Sequence, residues 1–393
     1  MRNIKKYFSV ILILSFLSAA SGCKKHNDEK EIRIGGLFDL TGITNEAGNY
    51  YVDGIKGYID FVNRQGGIHG KKVKLIPIDT AYVLQRDLAA YDLLVKNEKV
   101  HLIIGWSTGS SIALAPKTTR DKIPFTGVSF SKILADPAQA PYNFIMGPTY
   151  SDQMIILLKH IRSQWKNENA RPKVAFLYND KEFGKSPIED GRAFAQKNNI
   201  EIVAEEIINI DAREAVEQLK RIKKAKADFA IINETEWATA VILRDARKMG
   251  LRTQFMGLVF SSDEKVLLRN KKDAEGYIGI FPLLFSEKDA RGVEKILKNG
   301  NIQSDAMNKL TSRYINGWIV TQIMLEGVKR AGGSLAGEDI KNGLESIQNF
   351  DTEGISSPIS FTQENHCALH KAKLCKVVNG EWLIISDYIS AEE

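Results

Sequence analysis

Residues 102–131 read LIIGWSTGSSIALAPKTTRDKIPFTGVSFS, and the order of residue types there decides the fold. Leu102, Ile103 and Ile104 form a short apolar run that suits a strand buried on both faces of a parallel sheet. Ser107, Thr108, Gly109, Ser110 and Ser111 then bring hydroxyls and flexible backbone to the place where the next helix should begin. A second strand is expected over residues 123–128, followed by another hydroxyl-bearing loop, Ser129-Phe130-Ser131. In a parallel sheet both loops leave the carboxyl edge, where open α/β sheets bind ligands. Free N–H groups and the positive dipole end at a helix start attract anions. The stretch reads as a clamp for a small carboxylate. Plain helix capping by the serines is the open alternative.

Outward from this stretch the strand–helix alternation continues. Residues 31–38 and 71–79 are expected strands, and 50–64 and 84–96 expected helices, with residues 39–49 a loop. Ile55, Tyr58, Ile59 and Val62 recur at helical spacing. Downstream, residues 149–164 read as a helix, and a second α/β series of similar size starts at Pro172. Within it, residues 183–197 are expected to form one helix. A long helix is expected over 306–330, burying Leu310, Tyr314, Trp318 and Leu325 as core. Late strands are expected over 355–361, 372–378 and 381–387, with Asn379-Gly380 turning a hairpin between the last two. The fold class is therefore α/β: two doubly wound, Rossmann-like lobes with right-handed crossovers and a cleft between them.

The 393 residues suit two or three domain-sized units. The formal net charge is +6, about half of it from Arg2, Lys5 and Lys6. No basic stripe interleaved with aromatics appears, so no nucleic-acid partner is expected. Residues 1–22 read as an export signal: the three cations, an apolar run at 7–17 too short to span a bilayer, then small residues. Ala20-Ser21-Gly22-Cys23 resembles a bacterial lipoprotein processing site, which implies acylation of Cys23. An ordinary signal peptide with an incidental cysteine is the alternative. Residues 23–30 suit a flexible tether. The expected product is a membrane-anchored, extracytoplasmic body, monomeric and without a cofactor.

Cys367 and Cys375 are expected to pair as a disulfide in an oxidising compartment. Free thiols, or a zinc site shared with His366 and His370, are the alternatives. Gly105-Trp106-Ser107-Thr108-Gly109 also fits the G-x-S-x-G pattern of a hydrolase elbow, with His366 or His370 following in the matching order. That fold, however, needs one larger sheet. No Walker-type loop, zincin motif or dinucleotide fingerprint is present in the sequence.

Four stretches carry a family resemblance in their order and spacing. They are Asn63-Arg64-Gln65-Gly66-Gly67-Ile68-His69-Gly70-Lys71, the clamp stretch, Phe183-Gly184-Lys185, and residues 246–257, ARKMGLRTQFMG. Together they resemble bacterial type I periplasmic binding proteins of the leucine/isoleucine/valine-binding kind, which feed ABC importers. The resemblance covers most of the chain after the leader. It implies a hinge of three crossovers, near residues 144–147, 276–280 and 356–359. One lobe would comprise 31–145 and 279–356, the other 146–278 and 357–393. It points the carboxylate grip to Thr108, Gly109 and Ser110 and to Ser129, Phe130 and Ser131, with Trp106 and Ser107 alongside. Tyr150 and Phe183 fall where the second lobe closes, Phe183 lacking the hydroxyl of the tyrosine common there. The family's acid for the ligand amine aligns with Ala238, leaving Glu234 and Glu236 just upstream as substitutes. Ala47 stands near the place of a bulky cleft aromatic, while Trp106 is new. A remodelled pocket follows, for a larger amino acid or an acid lacking the amine.

Overall fold

In the computed structural model the described residues are 30–283, 290–300 and 310–392. The leader, Cys23 and the start of the long helix expected at 306 lie outside them. The first half alternates β1 (Glu31–Phe38), α1 (Asn45–Arg64), β2 (Lys72–Asp79), α2 (Leu84–Lys96), β3 (Leu102–Ile104), α3 (Thr108–Asp121) and β4 (Phe125–Thr126). A short α4 (Lys132–Ala135) then leads to α5 (Tyr150–Gln164). The second series is β5 (Lys173–Tyr178), α6 (Glu182–Lys185), α7 (Ile188–Lys197), β6 (Glu201–Ile207), α8 (Val216–Ala225), β7 (Phe229–Asn233), α9 (Glu236–Lys248), β8 (Gln254–Gly257), α10 (Glu264–Asn270) and β9 (Ile278–Phe281). Helices α11 (Arg291–Asn299), α12 (Ser312–Arg330) and α13 (Gly337–Glu345) precede β10 (Lys371–Val378), β11 (Glu381–Ile384) and β12 (Ile389–Ser390).

The strands of the described residues form two sheets. One is parallel, in the order β2-β1-β3-β4; the other runs β11-β10-β9-β8-β7-β5-β6. In the second sheet β10 runs antiparallel to β9, and β12 pairs on β10. Each sheet is covered on both faces, as shown by separate core clusters on either side. These are the two doubly wound lobes. The largest core lies where α1 and α12 meet over β1 and β3, around Tyr51, Ile55 and Trp318. The two helices touch backbone to backbone: a Cβ on Gly317 would lie 2.1 Å from the Tyr51 carbonyl. The Asn63–Lys71 stretch is a structural device. Asn63 brackets Val73, donating to its carbonyl and accepting from its N–H, each at 2.8 Å. Gly67, at φ +83°, passes so close to the Lys71 carbonyl that a Cβ would lie 2.0 Å away.

Four expectations need correction. The loop expected over 39–49 is shorter, because α1 already begins at Asn45. The helix expected over 183–197 is two helices, since Pro187 has no N–H and sits as the N-cap of α7. No strand forms over 355–361. Pro358 cannot donate to a ladder, and Phe350 makes the stretch's isolated bridge, to Ile359. The lobe boundaries also move. Strand β9 lies wholly in the second sheet, so a division at 278/279 would cut it. Phe361, Ala368 and Leu369 pack in the first lobe's core, so the chain crosses back at 369–371 rather than at 356–359. There the crossing runs beside the first one, through a parallel bridge of Ile145 with Cys367.

Cys367 and Cys375 are not bonded to each other. Cys367 sits at the crossing, its thiol facing the carbonyls of Gly147 and Leu369, each at 3.1 Å. Cys375 is in the middle of β10, beyond roughly 13 Å of extended chain from Lys371. A disulfide needs Cα atoms within about 7 Å. Among the described residues, no helix is long and apolar enough to cross a membrane.

Candidate functional site

The carboxyl edges of the two sheets face each other across a cleft holding about 440 Å³ of space, part of it open to solvent. The first lobe supplies Thr44, Ala47, Tyr82, Trp106, Ser107, Thr108, Val128 and Arg313; the second supplies Tyr150, Phe183, Thr235, Glu236 and Phe260.

The first wall is built from loops that follow β1, β2 and β3. Buried Asp39 organises the first: its carboxylate accepts from the N–H groups of Gly42 and Thr44 and from the Thr44 hydroxyl. The Thr44 hydroxyl in turn accepts from the Trp106 indole at 2.7 Å. Trp106 also leans on Tyr51, their rings 5.4 Å apart. Thr44 and Ala47 thus present a fixed surface to the cleft, and Trp106 stands beside them. Ala81 and Tyr82 both hold left-handed backbone, at φ 50° and 60°. Such conformations persist in non-glycine residues only where the surroundings impose them, as happens around ligand sites.

Ser107 is the N-cap of α3. Its hydroxyl accepts from the Ser110 N–H and donates to the Ser110 hydroxyl at 2.8 Å. Thr108 and Gly109 then begin the helix, and by helix geometry their N–H groups have no partner in its own ladder. The Thr108 and Tyr150 hydroxyls meet across the cleft at 3.2 Å. Capping and ligand-facing geometry therefore coexist: Ser107 does both.

The second wall is aromatic. Tyr150, Phe183 and Phe260 meet edge to face, with centroids 5.5–6.1 Å apart. Arg313, from the first turn of α12, lies with its guanidinium 4.7 Å over the Phe260 ring and 3.1 Å from the Asp263 carboxylate. Both ionic side chains are almost fully buried. Glu236 opens α9 and lines the cleft. Burial and the nearby Asp263 carboxylate push its carboxyl up, while Arg313 and Lys265 pull it back. Further ties join the lobes: Lys265 and Arg269 of α10 both reach Glu46 of α1, and Lys132 reaches Asp190 at 2.7 Å. The lobes are closed on each other.

Of the residues singled out in the sequence, Trp106, Ser107, Thr108, Tyr150, Phe183 and Glu236 come together here. Six others do not line the cleft. The Ser110 hydroxyl turns away to Asp87 of α2, at 2.5 Å. Ser129 and Ser131 are buried, with the Ser129 hydroxyl accepting from the Ser131 N–H at 3.4 Å. Val128 takes their place on the wall. Phe130 stacks on Phe260 from behind, 5.6 Å away. Glu234 is sealed beneath the second wall, held by the Asn179 amide and the Thr235 N–H. Gly109 faces open space, with nothing within 4 Å of an added Cβ, and lies just outside the lining. The histidines proposed to serve Ser107 are engaged elsewhere. His366 is stacked on Phe144, with one ring nitrogen on the Asn143 carbonyl and the other on Glu345. His370 lines a different cavity.

Burial makes Glu234 a pH-sensitive liability, pushing its carboxyl up to about 8. Its proton is therefore held more tightly folded than unfolded, where a glutamate titrates near 4.3. The folded state loses stability as pH rises from about 4.3 through about 8. Glu234→Gln should stabilise the protein at pH 9 and change little at pH 4. Urea unfolding at both values checks this; an equal effect at both would contradict it.

Two hinged α/β lobes closing over a polar-and-aromatic cleft define a two-lobed binding protein. The chain belongs to the periplasmic binding protein family, whose model matches residues 31–381. It is 25% identical over 239 residues to the Leu/Ile/Val-binding protein of Escherichia coli K12, an alignment covering 58% of this chain and 61% of that one. It thus spans about three-fifths of the length of such relatives. It is 20% identical over 301 residues to a leucine-, isoleucine-, valine-, threonine- and alanine-binding protein of Pseudomonas aeruginosa, covering 73% of this chain and 74% of that one. In fold it matches a branched-chain amino acid ABC transporter protein of Thermus thermophilus solved with bound valine, with TM-score 0.84, 21% identity, and 92% and 96% of the two chains covered. It also matches a fatty acid ABC transporter substrate-binding protein of Thermomonospora curvata, with TM-score 0.83, 21% identity, and 92% and 93% covered.

Arg313, Thr44, Tyr82 and Phe260 were missed from the sequence. The available signal for Arg313 was a lone cation at the head of an otherwise apolar helical stripe. For Thr44 it was the Asp39-x-x-x-x-Thr44 spacing at the end of β1.

Proposed function

We propose that the chain is an extracytoplasmic solute-binding lipoprotein, anchored through Cys23. Its cleft captures a small carboxylate-bearing ligand, an amino acid with a branched or aromatic side chain, for delivery to an ABC permease. One observation carries the reading: the start of α3 brings the Ser107 and Thr108 hydroxyls to a cleft whose opposite wall is aromatic and ends in Glu236. Hydroxyls and helix-start N–H groups suit a carboxylate, because charge-assisted bonds are strong without a neutralising cation. Tyr150, Phe183, Phe260 and Trp106 suit an apolar side chain. Glu236 is the partner for an amine. The binding relatives' names support an amino acid. The protein acts as a monomer, and its lobes part to admit the solute and close on it.

A second reading is an organic acid without the amine, recognised for transport or for sensing. The observation favouring it is Ala238, which leaves α9 without an acid beyond its first residue on the cleft side. Titration calorimetry separates the two. Wild-type protein is compared with Glu236→Gln against branched and aromatic amino acids and their deaminated analogues. The first reading expects amino acids to bind and Glu236→Gln to weaken them roughly 10- to 100-fold, the effect of losing a bond to a charged group. Binding of deaminated acids alone would select the second reading. Binding of neither would reject both.

A further inference from the structure

The hinge carries a group of side chains that the cleft does not use. Asp152, on the first turn of α5, Cys367 on the returning crossover and His370 just before β10 each offer one ligand atom, all within 4.8 Å of one another. They face a solvent-open cavity on the far side of the crossing. We infer that this cluster is a transition-metal site of the zinc type, which fastens the first and third crossovers to each other.

The donor set argues for the class of ion. A thiol, an imidazole and one carboxylate suit zinc or a similar borderline ion, whereas magnesium and calcium ask for oxygen alone. The spacing fits with small side-chain rotations. Ligands about 2.0–2.3 Å from a tetrahedral ion lie roughly 3.3–3.8 Å apart. Asp152 and His370 are both only partly buried, and Asp152 keeps one carboxylate oxygen on the Thr149 N–H, leaving the other to turn toward an ion. Glu392 stands 3.5 Å from the His370 ring but outside the three-donor group, so water supplies the fourth position. The surroundings favour a cation: Asp136, Asp190 and Glu364 line the same cavity, against Lys132 and Lys197. Without an ion, the Cys367 thiol hydrogen-bonds to the Gly147 carbonyl of the first crossover, so thiol and crossover are already in register. Binding exchanges the thiol proton for the ion: Zn²⁺ enters, a sulfur–zinc bond forms, and one proton leaves to solvent. The site stands apart from whatever the cleft binds.

Cobalt(II) alone, titrated into the reduced full-length chain, tests this. The expected result is one equivalent bound, with a thiolate-to-cobalt charge-transfer band that zinc abolishes by displacement and about one proton released per ion. Cys367→Ser should remove the band. His370→Ala, at a half-exposed position, should weaken binding tenfold or more. No charge-transfer band in the wild-type chain, or a band that survives in Cys367→Ser, would overturn the proposal. Should Cys367→Ser fail to fold, His370→Ala decides: unchanged cobalt affinity would overturn it equally.

Discussion

Replacing Arg313 by methionine is expected to cost about 3–5 kcal/mol of folding stability, the scale of stripping one partner from a buried ion pair. Arg313 comes from α12 of the first lobe and Asp263 from the N-cap of α10 in the second. Their pairing at 3.1 Å joins the lobes behind the cleft. Asp263 is 1% exposed, so without the guanidinium its charge is stranded beside Glu236 and Glu264. Burial and the Asp263 carboxylate already push Glu264 up to about 7. Methionine keeps an apolar stem but also gives up the guanidinium's contact over the Phe260 ring, which is part of the loss. The double variant with Asp263→Asn should recover most of the loss, because the stranded charge is gone. Urea unfolding of both variants checks this. A loss below about 1 kcal/mol in Arg313→Met would show that the pair is exposed and screened.

The second large effect concerns affinity. Thr108→Val keeps the side chain's shape and deletes its hydroxyl. The hydroxyl faces the cleft and meets Tyr150 across it, while Ser107 caps the helix. Ligand affinity should therefore fall roughly 10- to 100-fold, about 1.5–3 kcal/mol, together with about 1 kcal/mol of stability as the buried Tyr150 hydroxyl loses its partner. Ser110→Ala should spare affinity. It leaves the buried Asp87 carboxylate short of a donor, costing about 1–3 kcal/mol of stability with affinity intact. Calorimetry and unfolding on the two variants give the contrast. If Ser110→Ala lost affinity and Thr108→Val did not, the clamp would be on the wrong face of α3.

The strands and helices were largely legible because their signals are local. The apolar run at Leu102–Ile104 and the amphipathic spacing of α1 reflect burial that the fold then supplies. The Asn379-Gly380 hairpin was legible for the same reason, both residues holding positive φ in the turn. Side-chain direction was not legible. Ser107 and Ser110 sit three apart in one hydroxyl-rich run, yet one faces the cleft and the other Asp87. Only the packing of α3 on α2 decides which. Glu234 and Glu236 differ in the same way, separated by the residue that caps α9. The returning crossover was misplaced because residues 355–369 are apolar enough for either lobe. Ile355, Ile359, Phe361 and Leu369 bury themselves in the first core without forming a ladder. The cysteine pair was misread because compartment says whether a disulfide is allowed, whereas β10 sets whether the two sulfurs can meet.

Native mass spectrometry of the protein as purified would identify a carried-over solute, and a crystal grown with that solute tests the central claim most directly. The expected result is an acid group within hydrogen-bond distance of Ser107 or Thr108, with Tyr150 and Phe183 closed over the rest of the molecule. A solute lodged outside the space between the two lobes would contradict the account.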